Sequence, residues 1–114
     1  MNSRKNFIII IFIMTIFYRF FISCKKEDNS QPGTNEIFMQ GNKFNPSSIT
    51  VSAGTTVKWT NKDNVTHTAS GNNNAFESGD MTNGKTFSFT FSSVGTFNYI
   101  CKYHSGMTGK VIVQ

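Results

Sequence analysis

Arginine is almost absent from this 114-residue chain, and its absence narrows the kinds of partner that the chain can recognise. The only two arginines are Arg4 and Arg19, and eight lysines and six acidic residues follow the second of them. Beyond residue 26 the lysines are spread singly. Recognition of phosphate groups and base edges relies heavily on arginine. We therefore exclude a nucleic-acid partner, and the charge pattern predicts an ordinary solvated surface.

A hydrophobic run long enough to cross a membrane is also missing. The longest apolar stretch covers residues 7–17, and Arg19 interrupts its continuation, whereas a membrane-spanning helix needs about 20 apolar residues. Two basic residues precede the stretch, and the small Ser23 follows it. This order is typical of a secretory signal peptide, so residues 1–23 are predicted to be a leader outside the fold.

Cysteine is the second scarce residue, because only Cys24 and Cys101 are present. The residues before the first of them, Phe21-Ile22-Ser23, resemble the end of a bacterial lipoprotein signal, the lipobox. The resemblance implies that Cys24 is the acylated first residue of an exported protein, held on the periplasmic side of a bacterial membrane or at the cell surface. Several acyl chains anchor stably, whereas one chain binds only reversibly. The alternative is an ordinary signal peptide with an incidental cysteine.

Residues 24–34 contain no large apolar side chain and are predicted to be a flexible polar tether. Within them, Lys26-Glu27-Asp28 resembles a short charged signal that directs some Gram-negative lipoproteins to the cell surface, although a solvated linker explains it equally well. Residues 35–114 are long enough for one small domain. A domain of this size buries only a modest fraction of its surface, so a bound metal would add useful stability.

The domain lacks any run with the spacing of an amphipathic helix, and its apolar residues alternate instead. Alternating stretches rich in β-branched and aromatic residues, separated by Gly, Asn, Asp and Ser, predict an all-β fold of short antiparallel strands in a sandwich or barrel. The alternation places Cys101 on the same face as Phe97 and Tyr99, which is the predicted core face. Residues 66–70 are expected to form another short strand, and residues 71–80 a polar surface connection.

Once Cys24 is set aside, Cys101 is the only thiol in an oxidising compartment, and such a cysteine is either a reactive liability or a metal ligand. It begins the sequence Cys101-x-x-His104-x-x-Met107, and His67 is the only other histidine. Taken singly, each residue is more often core filler or a surface side chain. Together, a thiolate, two imidazoles and a thioether are the ligands of a blue copper site, whereas structural zinc would more usually take a second thiolate or a carboxylate.

The domain also resembles a known family over nearly its whole length. The first stretch reads Phe44-x-Pro46-x-x-Ile49-x-Val51-x-x-Gly54-Thr55-x-Val57-x-Trp59-x-Asn61-x-Asp63-x-x-x-His67-Thr68. The second comprises Phe76-x-Ser78-Gly79, Gly84, Phe87, Phe91, Gly95, Phe97, Tyr99 and Cys101-x-x-His104-x-x-Met107-x-Gly109. Both resemble the plastocyanin and amicyanin branch of the cupredoxins, and the short ligand loop is most similar to that of amicyanin.

The resemblance implies a Greek-key β-sandwich with one type 1 copper at one end. Carried over by position, it makes His67, Cys101 and His104 equatorial ligands and Met107 the axial ligand. The family has Asn directly after the first histidine, where its side chain braces the cysteine loop, and this chain has Thr68. We expect the Thr68 hydroxyl to do a similar job. Asn61 and Asp63 are expected to hold the turn before His67 by side-chain to backbone hydrogen bonds, without direct chemistry.

The function predicted from these residues is one-electron transfer by an exported, lipid-anchored copper protein. Redox partner proteins would dock transiently at the loop end near His104, with Tyr103 and Ser105 beside it. The alternatives are a lipoprotein that stores or delivers copper without redox cycling, and an adhesion-like sandwich with a vestigial site. An enzyme with a small-molecule substrate is not expected, because a single site of this kind offers no open catalytic position and no acid-base pair.

Overall fold

The computed structural model of the chain describes residues 31–114. The predictions of a leader at 1–23, of acylation at Cys24, of a surface signal at 26–28 and of most of the tether lie outside the described residues. Among residues 31–114, no helix has both the length and the apolar character needed to cross a membrane.

Eight short strands and one turn of 3-10 helix account for the regular structure of the described residues. They are β1 (Glu36–Met39), β2 (Phe44–Asn45), β3 (Ser48–Val51), β4 (Thr55–Asn61), β5 (Ser70–Gly71), the 3-10 turn (Asn72–Asn74), β6 (Thr86–Phe91), β7 (Gly95–Ile100) and β8 (Thr108–Val113). The all-β prediction is therefore confirmed.

The strands form two four-stranded sheets, with the orders β2-β1-β4-β6 and β3-β8-β7-β5. Neighbouring strands are antiparallel except at two pairs. β1 runs parallel to β4, where Ile37 pairs with Trp59, and β3 runs parallel to β8, where Ile49 pairs with Val111. The expectation of antiparallel pairing throughout is wrong at these pairs, because strands joined by crossovers, unlike hairpins, are free to run in the same direction.

The core lies between the sheets and is centred on Trp59, which is fully buried. The rings of Phe76, Phe91 and Tyr99 surround it at centroid distances of 5.3, 6.3 and 5.4 Å. Each buried aromatic side chain contributes roughly 1.5–3 kcal/mol of transfer free energy. Trp59 of β4 and the aromatic residues at alternate positions of β6 and β7 therefore define the inner faces, as the period of two predicts.

Contrary to the prediction from the sequence, residues 71–80 are not wholly at the surface, because one of their side chains is buried. Phe76 is 5% exposed and packs on Trp59 and Phe91. A Cβ atom at Gly71 would lie 2.8 Å from the Phe76 ring, so the glycine leaves the room for this approach. The interpretation as a purely surface connection is wrong, because one aromatic side chain anchors the segment in the core.

Candidate metal centre

Cys101 directly follows β7 and points inward, with 3% of the residue exposed. This confirms that it shares the core face with Tyr99. Its backbone N–H donates to the Met107 carbonyl at 3.0 Å, and the Met107 N–H donates to the His104 carbonyl at 3.1 Å. These two bonds close the segment 101–107 into a compact loop between β7 and β8. The loop therefore holds three of the four predicted ligands on one short piece of backbone.

His67 lies in the connection between β4 and β5, and its side chain is fully buried. It forms an isolated bridge with Met81, in which each backbone N–H donates to the other carbonyl, at 3.0 and 2.8 Å. The continuous strand expected over residues 66–70 is wrong, since only Ser70 belongs to a strand, β5. The bridge with Met81 nevertheless fixes the backbone at His67.

The donor atoms of three predicted ligands converge on one point. Sγ of Cys101 lies 3.7 Å from Nδ1 of His67 and 3.4 Å from Nδ1 of His104, and the two Nδ1 atoms are 3.2 Å apart. Nitrogen at 2.0–2.1 Å and sulfur at 2.3 Å from one ion would lie about 3.3–3.8 Å from each other. The three residues form a group able to hold a metal ion, and their spacing fits a single ion.

The proton distribution around His67 favours a cation at this point. Its Nε2 lies 2.8 Å from Oδ2 of Asp63, and a carboxylate only accepts hydrogen bonds, so Nε2 is assigned the ring proton. Nδ1 then presents a lone pair toward Cys101 and His104. A nitrogen lone pair that faces a sulfur and a second imidazole nitrogen at these distances suits a bound metal ion.

The hydrogen bond between Asp63 and His67 was not predicted from the sequence. Besides the bond from His67, the Asp63 carboxylate accepts hydrogen bonds from the backbone N–H groups of Gly41 at 2.9 Å and Asn42 at 3.1 Å. Burial raises the pKa of Asp63, but the hydrogen bonds from His67, Asn42 and Gly41 outweigh burial and hold the pKa below its ordinary value. A carboxylate behind a ligating histidine orients the ring and raises its basicity, so the expectation of a purely structural Asp63 is incomplete.

Asn61 performs the turn-forming role predicted for it. Its Nδ2 donates to the carbonyls of Val65 at 2.8 Å and Met81 at 2.7 Å, and its Oδ1 accepts from the Asp63 N–H at 2.8 Å. The side chain is fully buried. These bonds shape the turn between β4 and His67, and so they place both Asp63 and His67.

Thr68 ties the His67 segment to the cysteine loop. Its backbone N–H donates to Sγ of Cys101 at 3.5 Å, and its Oγ1 accepts the backbone N–H of Lys102 at 2.9 Å. The expectation that the hydroxyl braces the loop is confirmed. Hydrogen bonding around the cysteine sulfur is one of the factors that tune a copper-thiolate site.

The other two predicted ligands in the loop, His104 and Met107, differ in exposure. His104 is half-buried, and its neighbour Tyr103 is 55% exposed with its hydroxyl donating to Asp80 at 2.6 Å. Met107 is 3% exposed and lies within the same loop. The centre therefore has one partly accessible imidazole edge, while the axial role of Met107 stays a prediction.

Known proteins of similar sequence and structure point to the same chemistry. The model of the cupredoxin-like domain family matches residues 10–113. Amicyanin-alpha of Methylorubrum extorquens is 32% identical over 92 residues, which is 72% of this chain and 73% of that protein. Plastocyanin of Scenedesmus fuscus is 34% identical over 84 residues, 62% of this chain and 86% of that protein. A solved purple cupredoxin from Nitrosopumilus maritimus superposes with a TM-score of 0.65 at 26% identity, covering 69% of this chain and 98% of that one.

Proposed function

The chain belongs to the cupredoxin-like family, and we propose that it is a type 1 copper protein that carries single electrons between partner proteins. The observation that best supports this proposal is the convergence of one thiol sulfur and two imidazole nitrogens at 3.2–3.7 Å. Copper, when bound there, supplies a one-electron couple between its two oxidation states. Cys101, His67 and His104 are proposed as its strong ligands and Met107 as the weak axial ligand.

The chain's own contribution is to hold these donors still. Asp63 fixes the ring of His67, Asn61 fixes the turn before it, and the Cys101–Met107 backbone pairing closes the loop. Electron exchange is fast when the ligands move little between the two oxidation states. The hydrogen bonds that fix His67 and close the loop of Cys101 support such a rigid site.

Electrons are proposed to enter and leave through the edge of His104. This ring is the partly exposed member of the donor group, whereas His67 and Cys101 are buried. Tyr103 and Ser105, both exposed, would form part of the docking surface. Redox partners of this kind associate through small, transient interfaces.

Absorption spectroscopy with a redox titration tests the proposal. The purified chain with one equivalent of Cu(II) should become intensely coloured through a thiolate-to-copper transition, and ferricyanide and ascorbate should cycle the colour reversibly. Cys101→Ser should abolish the band, because it removes the sulfur that produces it. A colourless adduct that cannot be cycled would refute electron transfer and favour the storage or delivery of copper.

Export and membrane anchoring are proposed on the sequence alone. Cleavage before Cys24 and acylation of its sulfur would leave residues 24–34 as a tether to the domain. Expression in a Gram-negative bacterium, with mass spectrometry of the first mature peptide, tests this. Cys24→Ser should move the protein from the membrane fraction to the soluble fraction without changing its copper spectrum. If the wild-type protein is soluble and unacylated, the anchor is wrong.

A further inference from the structure

A closed ring of hydrogen bonds connects the cysteine loop to the segment after His67, and it begins and ends on the same residue. The backbone N–H of Lys102 donates to Oγ1 of Thr68 at 2.9 Å. Oγ1 of Thr68 lies 2.9 Å from Oγ of Ser70, and Oγ of Ser70 donates to Oε2 of Glu77 at 3.0 Å. The ammonium group of Lys102 pairs with Oε1 of Glu77. These four residues are called the loop brace.

The proton order around the loop brace is determined by its members. Ser70 has a single hydroxyl proton, and it goes to the Glu77 carboxylate, so Thr68 must donate to Ser70 rather than accept from it. Lys102 N–H, Thr68 and Ser70 thus donate in one direction, and the chain ends on a negative charge. Bonds aligned in this way polarise and strengthen one another.

Glu77 is held as the charged end of this chain. Its Oε2 also accepts the Gly79 N–H at 3.0 Å. Burial raises the pKa of Glu77, but hydrogen bonds from Lys102, Gly79 and Ser70, with the charge of Lys102, hold the pKa below its ordinary value. The two hydroxyl members are buried, at 2% exposure for Thr68 and 5% for Ser70, while Glu77 and Lys102 reach the surface.

The loop brace acts on the metal centre through Thr68. This residue contacts two successive residues of the loop, with its N–H on Sγ of Cys101 and its Oγ1 on the N–H of Lys102. A hydrogen bond to the sulfur stabilises its negative charge, and that charge is larger when the bound metal is reduced. Fixing Thr68 therefore favours the reduced state.

We propose that Ser70, Glu77 and Lys102 are positioning residues that hold the Thr68 N–H on the Cys101 sulfur and so raise the reduction potential of the centre. The inference rests on the proposed copper function, which it deepens. It assigns a role in electron transfer to an exposed ion pair, between Lys102 and Glu77, whose charged groups are not among the metal donors.

Two variants with exposed side chains, Glu77→Gln and Lys102→Gln, test the proposal in the copper-loaded full chain. Both break the ring at its ion pair while leaving every donor atom in place. We expect a lower midpoint potential and a shifted thiolate-to-copper band in each. Lys102→Arg keeps the ion pair and should retain the wild-type values.

Glu36→Gln is a matched control. Glu36 is also bonded to a glycine N–H, a threonine hydroxyl and a lysine, namely Gly33 at 3.2 Å, Thr60 at 2.9 Å and Lys58 at 3.5 Å. It lies at the start of β1, away from the loop, so this variant should leave the potential and the band unchanged. If the Glu77 and Lys102 variants behave like this control, the proposal is wrong.

Amide hydrogen exchange in the metal-free full chain gives a second, independent readout. We expect the Lys102 N–H and the Thr68 N–H to exchange at least several times faster in Glu77→Gln than in the wild type, because both bonds depend on the position of Thr68. Unchanged exchange would also overturn the inference. If the wild-type chain itself gives no reversible coloured copper adduct, the proposed function has failed, independently of the brace.

Discussion

Asp63 joins the turn after β1 to the buried imidazole of His67, and replacing it should weaken the metal site. Asp63→Asn retains one oxygen, which cannot serve Gly41, Asn42 and His67 as the carboxylate does. Loss of such an outer partner typically costs 10–100-fold in metal affinity. We expect a loss of roughly that size for copper, measured by competition with a chelator of known affinity.

Glu36→Gln again serves as the control for Asp63→Asn, since it removes another partly buried, hydrogen-bonded carboxylate. It should lower stability slightly and leave copper affinity unchanged. Equal affinities in the two variants would show that Asp63 only holds the turn.

Met107→Leu tests the weak axial ligand. Leucine is close to methionine in volume, so the buried position should tolerate it at a cost of less than about 1.5 kcal/mol. Removing the thioether withdraws electron donation from the oxidised copper most, so the midpoint potential should rise while most of the thiolate band remains. An unchanged potential in a protein voltammogram would place the Met107 sulfur outside the coordination sphere.

The sequence predicted those residues of the site that are close in the chain or that have distinctive chemistry. Cys101, His104 and Met107 share one short loop, and His67 is the only remaining histidine. The sequence predicted a turn-forming role for Asp63 but not its hydrogen bond with His67. That bond spans only four positions, but the position of the carboxylate also depends on Gly41 and Asn42, which are 22 and 21 positions away in the chain, and no local pattern reports such contacts.

At the level of elements, the pairing of β7 with β8 depends on a glycine beside an aromatic ring. Gly109 pairs with Tyr99, and a Cβ atom at Gly109 would overlap the Tyr99 phenol group. Gly109→Ala should therefore push these strands apart. We expect a loss of about 1–3 kcal/mol in the free energy of unfolding, measured by urea denaturation of the metal-free protein.

Gly33→Ala provides the comparison for Gly109→Ala. A Cβ there would meet its nearest neighbour, Oε2 of Glu36, at an ordinary 3.5 Å. Its stability should stay within about 0.5 kcal/mol of the wild type. Equal losses in both variants would show that the effect comes from glycine itself and not from Tyr99.

The sequence predicts which segments form strands and which of their side chains face inward, but it does not predict which strands pair with each other. Alternation in β4, β6 and β7 reports which side chains face inward, because successive side chains point to opposite sides of a sheet. It carries no information on which strands lie side by side. The parallel pairs β1–β4 and β3–β8, and the anchoring of a polar segment by Phe76, were accordingly missed.

Across the whole domain, three carboxylates respond to acid in the same direction. For Glu36, Asp63 and Glu77, burial raises the pKa, but hydrogen bonds hold the pKa below the ordinary values of 4.5 for Glu and 3.8 for Asp, and for Glu36 and Glu77 the charge of a neighbouring lysine acts in the same direction. Because the folded pKa lies below the unfolded one, each contributes stability at higher pH. That stability is lost as the pH falls through the folded values.

We therefore expect the unfolding free energy of the metal-free protein to fall steadily once the pH drops below about 4.5. The double variant Glu36→Gln, Glu77→Gln should start from a lower stability and show a shallower dependence. Urea titrations between pH 6 and 3 give both slopes. Parallel curves for the two proteins would contradict a role for these carboxylates in acid unfolding.

The parallel pairing of β3 with β8 also determines the stage of synthesis at which the metal centre can form. Ser48 finds its partner only in Lys110, and the ligand loop is closed only when β8 is in register with β7. During synthesis, His67 emerges well before the sulfur and the second imidazole that belong with it. Binding of the ion is consequently a late event, because a ribosome-bound chain that lacks β8 carries all four predicted ligands but not the strand pairing that closes their loop.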